Sequence, residues 1–264
     1  MEPARLVRTV AAAVATATLV VAGAYAQGFR FREGSLPARY APARMPDGAF
    51  VVCRLAYRSV RAEPMGIGWQ TDYPFAEINL TTRLSELTKT RVSRGENGEP
   101  NHFVVRLTDD ALFNCPLTVA SDVGSLGFRT EEIDRLRAYL LKGGFLWVDD
   151  FWGSLAWRQW ATEIAKVLPP AEYPIVDVGL DDPLLKTMFE VKQIPQITNI
   201  QFWRGVDGRS TSERGSDSID AHLRAIRDAR GRIIVLMTHN TDVADSWERE
   251  GEDPRFFYNF SPDG

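Results

Sequence analysis

Five short runs with almost no polar interruption limit what this 264-residue chain can become. They are AFVVCRLAY (residues 49–57), HFVVRL (102–107), PLTVAS (116–121), FLWV (145–148) and IIVLMT (233–238). A strand with one wet face alternates polar and apolar residues, whereas a run without alternation is covered on both faces, as in a parallel sheet. Between the runs lie stretches with helical spacing. Leu80, Leu84 and Leu87 form one stripe, Ile133, Leu136 and Leu140 a second, and Trp157, Trp160, Ile164 and Val167 a third. Thr130 caps the second helix, with Glu131 and Glu132 in its first turn, and Lys142-Gly143 ends it. Pro169-Pro170 stops the third. IVDVGL (175–180) predicts a further strand, and DARGR (228–232) a hairpin turn into the last run. Residues 181–218 are polar and irregular and yield no pattern. The order predicts an α/β fold with a doubly wound, mainly parallel sheet and flavodoxin-like strand order.

Residues 1–26 read differently from the rest. Arg5 and Arg8 precede an Ala/Val/Leu/Thr stretch at 9–23, and Ala24-Tyr25-Ala26 is an A-x-A cleavage pattern, so the segment reads as a signal peptide removed before Gln27. The competing reading is an uncleaved N-terminal anchor, for which the run is short and rich in Ala and Thr. Residues 27–47 form a Pro/Gly/Arg-rich leader, and 48–264 a single α/β domain. The protein is therefore expected outside the cytoplasm, periplasmic or secreted. Residues 1–26 carry two arginines and one glutamate, so their loss moves the net charge from −4 to −5. That balance excludes nucleic acid as a partner, which needs a clustered basic face. Cys53 and Cys115 allow one disulfide, but Cys53 lies inside an apolar run where a small thiol fits unpaired, and two buried thiols are the favoured reading.

The functional signal lies where the apolar runs end. In KGGFLWVDDFWG (142–153) a buried strand stops at two adjacent carboxylates. Ligands of open parallel sheets sit beyond the carboxyl ends of the strands. The first run leads to Trp69, Asp72 and Tyr73, and the third to Ser121, Asp122 and Gly124. The fourth leads to Asp149, Asp150 and Trp152, and the last to His239, Asn240, Asp242 and Trp247. Each has a plainer role to weigh. Asp150 or Ser154 can cap the next helix, His239 can be a hydrogen-bonded surface histidine, and Trp157 and Trp160 are core by their spacing. Trp69, Trp152 and Trp247 fall off the helical period and suit a stacking surface. Because adjacent strand residues face opposite sides, Asp149 is expected to point into the cleft toward His239 and Asp242. Asp150 is expected to accept from backbone N–H groups near Trp152 to Ser154. Phosphate-binding glycine loops, zinc-type histidine pairs, CxxC pairs and G-x-S-x-G elbows are all missing.

Four stretches, GWQTDYPFAEINLTTRLSELT (68–88), LRAYLLKGGFLWVDDFWG (136–153), GRIIVLMTHNTDVADSWER (231–249) and FSPDG (260–264), carry a resemblance to the bacterial family called domain of unknown function 4159. The resemblance implies a fold similar to class I glutamine amidotransferases and to trehalose-utilisation-type proteins. In the latter a comparable strand ends in His where this chain has Asp149. The amidotransferase cysteine has no match, since Cys115 precedes its strand. It also implies partners in the cell envelope, near MoxR-type ATPases, and an apolar helix after FSPDG, so the sequence is expected to be truncated at its C-terminus.

Two functions remain open. One is an exported ligand-binding or scaffold module with an acidic-aromatic cleft made of Trp69, Asp72, Tyr73, Trp152, Asn240, Asp242 and Trp247, taking a small molecule or carbohydrate. The other is a hydrolase-like enzyme, carbohydrate-directed or metal-assisted, with Asp149 or Asp150 as general acid/base and His239 assisting. In its metal-dependent form, Asp149, His239 and Asp242 hold a hard divalent ion. The binding module is preferred, because no nucleophile or metal spacing is diagnostic. No cofactor is assigned.

Overall fold

The structure is a computed structural model that describes residues 37–264. The signal-peptide reading and residues 27–36 of the leader lie outside the described residues. Seven strands form one sheet: β1 (Val52–Ala56), β2 (His102–Arg106), β3 (Leu117–Ser121), β4 (Leu146–Asp149), β5 (Ile175–Asp177), β6 (His222–Arg227) and β7 (Ile233–His239). Their spatial order is β2-β1-β3-β4-β7-β6-β5. The first five positions are parallel, while β6 and β5 continue the sheet antiparallel. The parallel part has the flavodoxin-like order, with β7 as its fifth strand. All five apolar runs are strands, and the 228–232 turn joins β6 to β7 as expected. β6 itself, HLRAIR, was not foreseen, because its polar alternation belongs to a strand near the sheet edge.

The helices are α1 (Phe75–Leu87), α2 (Thr130–Leu141), α3 (Gly153–Val167), α4 (Ile200–Gly205), α5 (Val243–Glu248) and α6 (Pro254–Phe260). On one sheet face, Leu136 and Leu140 of α2 and Trp160, Ile164 and Val167 of α3 join Cys53, Leu55, Leu146 and Val148 in the main core. The other face carries α1, because Arg54, one residue from Cys53, points the opposite way and meets Glu77. Α smaller cluster of Ile197, Ile200, Trp203, Phe256 and Phe260 packs α4 against α6.

Three expectations are corrected. The stripe Leu80, Leu84 and Leu87 is not the buried face of α1. The helix buries Ala76, Glu77 and Thr81, and Leu87 is 58% exposed. The reason is Arg54, whose buried charge draws Glu77 inward. Thr130 does not cap α2: Arg129 is the N-cap, its N–H donates to Glu132 Oε2 at 2.7 Å, and Thr130 is the first helical residue. Cys53 and Cys115 form a disulfide, with Cα atoms 6.0 Å apart. β1 and β3 are direct neighbours, so the turn entering β3 delivers Cys115 to the face on which Cys53 already points. In addition, Arg39 to Ala41, part of the leader by sequence, pair with Val104 along the edge of β2.

Candidate functional site

The direction of winding reverses between β1 and β3, because β2 lies on the other side of β1. Α crevice opens at such a switch point, beyond the strand ends. Four polar residues there adopt left-handed backbone: Asp72 (φ 66), Asp122 (φ 55), Asp150 (φ 52) and Asn240 (φ 60). Asp and Asn enter this region at lower cost than other side-chain-bearing residues. Each turns the chain sharply as it leaves a strand or enters the next helix, and such conformations gather at functional sites.

Α cavity of ≈ 10 Å³ lies at this edge, lined among others by Glu63, Asp122, Asp150, Trp152, Glu213 and Arg214. That is about the room one bound water needs. The Trp152 indole N–H donates to Asp150 Oδ1 at 2.8 Å, and the Gly68 N–H donates to Asp122 Oδ2 at 2.8 Å. Glu213 Oε1 accepts from the Asn199 N–H at 2.7 Å, while its Oε2 lies 3.3 Å from the Arg214 guanidinium. Burial, reinforced by the charge of Asp72, pushes the Asp122 carboxyl up to about 7. Burial and the charges of Asp72, Glu213 and Asp122 hold Asp150 well above the usual carboxylate range.

Behind the cavity, one oxygen each from Asp72, Asp150 and Asp242 lies within 4.8 Å of the others. Asp72 comes from the loop before α1, Asp150 directly follows β4, and Asp242 is the N-cap of α5 just after β7. Their exposures are 1%, 9% and 0%, so water does little to separate the three charges. The compensation comes from β1. Arg54 Nε donates to Glu77 Oε1 at 2.5 Å and its Nη1 to Ser121 Oγ at 2.6 Å. Ser121 passes the polarity on by donating to Asp72 Oδ2 at 2.7 Å.

The expected triad of Asp149, His239 and Asp242 is not brought together. In β4 and β7, Val148 stands opposite Met237, which sets Asp149 beside Thr238 on one face and leaves His239 on the other. Asp149 accepts from the Thr238 hydroxyl through Oδ1 and from the Ala244 N–H, at 2.7 Å, through Oδ2. One oxygen ties it to β7 and the other to the start of α5, although burial pushes the group up to about 7. The two carboxylates do face different ways, but their roles are exchanged: Asp150 joins the acidic cluster. The cap expected of it comes from Asn240 Oδ1 on the Gly153 N–H and from Asp217 Oδ2 on the Ser154 N–H.

His239 sits among aromatic rings, stacked on His222 at 5.6 Å and tilted against Phe151 and Trp157 at 4.9 and 5.2 Å. Its Nε2 lies 3.2 Å from the Gly153 carbonyl and its Nδ1 3.3 Å from Arg224 Nη1. The carbonyl can only accept and the guanidinium can only donate. The ring is thus the neutral Nε2–H tautomer, with its Nδ1 lone pair engaged by Arg224. Burial, with Arg224 and His222 nearby, lowers it from 6.5 to about 4. Α histidine held less basic than in the unfolded chain stabilises the fold above about 6.5 and loses that contribution as pH falls toward 4. We expect urea unfolding to show up to about 3 kcal/mol of stability lost across this window. His239→Gln should flatten that slope; an unchanged slope would show that His239 does not set it.

The aromatic residues divide similarly. Trp152 lines the cavity. Trp69 packs on the main core and lies 6.0 Å from Tyr73, whose hydroxyl accepts from the Arg39 N–H. Trp247 meets Trp147 edge-on at 5.0 Å and does not line this cavity. Glu63, Glu213 and Arg214 escaped the sequence reading, since they lie in loops without periodicity. Arg54 had a visible signal: a charge inside a strand covered on both faces must find a partner.

Among curated proteins, no match is found. The family described as "Domain of unknown function (DUF4159)" matches residues 52–261, which takes in every strand of the sheet and each of the acidic residues above. The chain belongs to this family of domain of unknown function 4159.

Proposed function

We propose that the protein is an exported, non-catalytic ligand-binding module of the cell envelope. Its ligand is a small polar molecule, a carbohydrate or a cationic amine, bound outside the carboxyl ends of β1, β3 and β4 so that one hydroxyl or ammonium group enters the one-water cavity. The observation that carries this reading is the composition of the cavity wall: Glu63, Asp122, Asp150 and Glu213 with Arg214 and Trp152. Carboxylates accept from hydroxyl and ammonium groups, the guanidinium donates to ring oxygens, and an indole supplies apolar surface. The wall offers no Ser, Cys, His or Lys among its described residues, which supports binding over nucleophilic chemistry. Export is supported by the pattern in residues 1–26 and by the Cys53–Cys115 disulfide, because such bonds persist in oxidising compartments. Α second reading, acid–base hydrolysis, draws on one observation. Asp122, raised to about 7, and Asp150, also raised well above the usual carboxylate range, share one wall, as a general acid and its partner carboxylate would.

Thermal unfolding of the protein lacking residues 1–26, with neutral sugars, amino sugars and polyamines, tests both. We expect one ligand class to raise Tm in a concentration-dependent way, as binding to the native state requires. Met65→Trp, at a cavity-lining position that is 43% exposed, should remove the rise by obstructing the entrance. Α rise that persists in Met65→Trp places the ligand elsewhere, and turnover of the sugar during incubation supports hydrolysis instead.

A further inference from the structure

We infer that Asp72, Asp150 and Asp242 are the protein ligands of a hard divalent cation of the Mg²⁺, Ca²⁺ or Mn²⁺ class. The inference deepens the reading of the strand-end cavity as a binding site, and it rests on that reading through Asp150, which belongs to both the cavity wall and the acidic cluster.

The ligand geometry comes first. Three carboxylates from three separate chain segments converge until one oxygen of each lies within 4.8 Å of the others. Α cation at bonding distance, about 2.0–2.6 Å from each oxygen, spans such a set. Convergence of like charges is not a site in itself, but Asp242 adds an independent sign. It is fully buried, its Oδ1 accepts from the Asp245 N–H at 2.8 Å, and its Oδ2 has no hydrogen-bond partner. An ionised oxygen left so, beside two further carboxylates, is costly unless a cation meets it. The charges acting most strongly on Asp242 are those of Asp150 and Asp72, after burial itself.

No arginine donates to Asp242 Oδ2. Arg54 is engaged by Glu77 and Ser121, and its charge falls on Asp72, as does that of Arg249. Arg249 lies 3.0 Å from Asp245 and 2.9 Å from Glu248. It therefore occupies the second place where acidic oxygens gather, formed by Asp72, Asp245 and Glu248. That second cluster is organised around the Arg249 cation, whereas in the first Asp242 Oδ2 has no hydrogen-bond partner. An all-oxygen set selects hard ions over zinc or copper, which favour nitrogen and sulfur. Asp150 lies on the wall of the cavity, so water or a ligand oxygen can complete the coordination from that side.

The test uses the protein lacking residues 1–26, stripped with a chelator and dialysed. Calorimetric titration and thermal unfolding at pH 7.5 are followed with MgCl₂, CaCl₂ and MnCl₂ in turn. We expect one of the three to bind with a stoichiometry near one and to raise Tm. Asp242→Asn keeps the hydrogen-bonding cap on α5 but removes the charged ligand, and should weaken binding by at least about tenfold. Α folded Asp242→Asn protein, shown by an unchanged circular dichroism spectrum, that binds the ion as the parent does would overturn the site. So would the absence of saturable binding of all three ions to the parent. Should Asp242→Asn fail to fold, Asp150→Asn is read in the same way. The parent protein's response to the organic ligands is followed alongside. Failure of the ion site with that organic response intact would sink this inference alone, and the reverse pattern would sink only the organic-ligand reading.

Discussion

Reducing the Cys53–Cys115 disulfide is expected to lower the unfolding free energy by about 4 kcal/mol, given a loop of 62 residues in sequence. Closing such a loop in the unfolded chain removes conformations that the reduced chain regains, and the folded state gives up nothing comparable. Both sulfurs are buried in the main core, so the reduced thiols stay packed and the effect falls mainly on the unfolded ensemble. Urea unfolding with and without a strong reductant checks this, with the Cys53→Ala/Cys115→Ala double variant as a control. For a domain of this size the loss should appear as a fall in Tm of roughly 10 °C. Α change under about 1 kcal/mol would mean that the unfolded chain is already compact around these residues. The same outcome would weaken the case for export, since a bridge that contributes so little gives no reason to fold in an oxidising compartment.

Α second large effect is expected at Arg54. Α buried guanidinium removed alone leaves Glu77 charged and unpaired inside the protein, and such losses run to about 3–5 kcal/mol. Arg54→Met keeps much of the side-chain volume, so the loss reports charge more than packing. It should also weaken the support of Asp72, which is tied to Arg54 through Ser121. The double variant Arg54→Met/Glu77→Met should recover much of the stability, because an apolar pair leaves no orphaned charge. Chemical denaturation of the two singles and the double closes a mutant cycle. Single losses that simply add would show that Arg54 and Glu77 act independently, contrary to the 2.5 Å contact between them.

These two effects also divide what the chain announces from what it conceals. The apolar runs at 49–57, 102–107, 116–121, 145–148 and 233–238 specify strands covered on both sides, and all five are in the sheet. Helical stripes located α2 and α3 to within a residue or two, because side-chain periodicity is a local property. The acidic character of the strand ends was legible for the same reason, since Asp72, Asp122, Asp150 and Asp242 each follow an apolar run.

Which of those residues meet was not legible. Α shift of one residue in the pairing of β4 with β7 decides that Asp149 stands by Thr238 and His239 on the far face. Nothing local to either strand carries that register. The burial of Glu77 over the leucine stripe of α1, the Cys53–Cys115 bond, and the entry of Glu63, Glu213 and Arg214 into the cavity wall depend likewise on which segments become neighbours. By itself the sequence determined the strands other than β6, the helices α1 to α3 and the acidic charge at the strand ends, through side-chain period and backbone preference. Tertiary structure decided the partners, because hydrogen bonds, disulfides and shared ions form between atoms a few ångströms apart, and that proximity is set by the packed sheet as a whole.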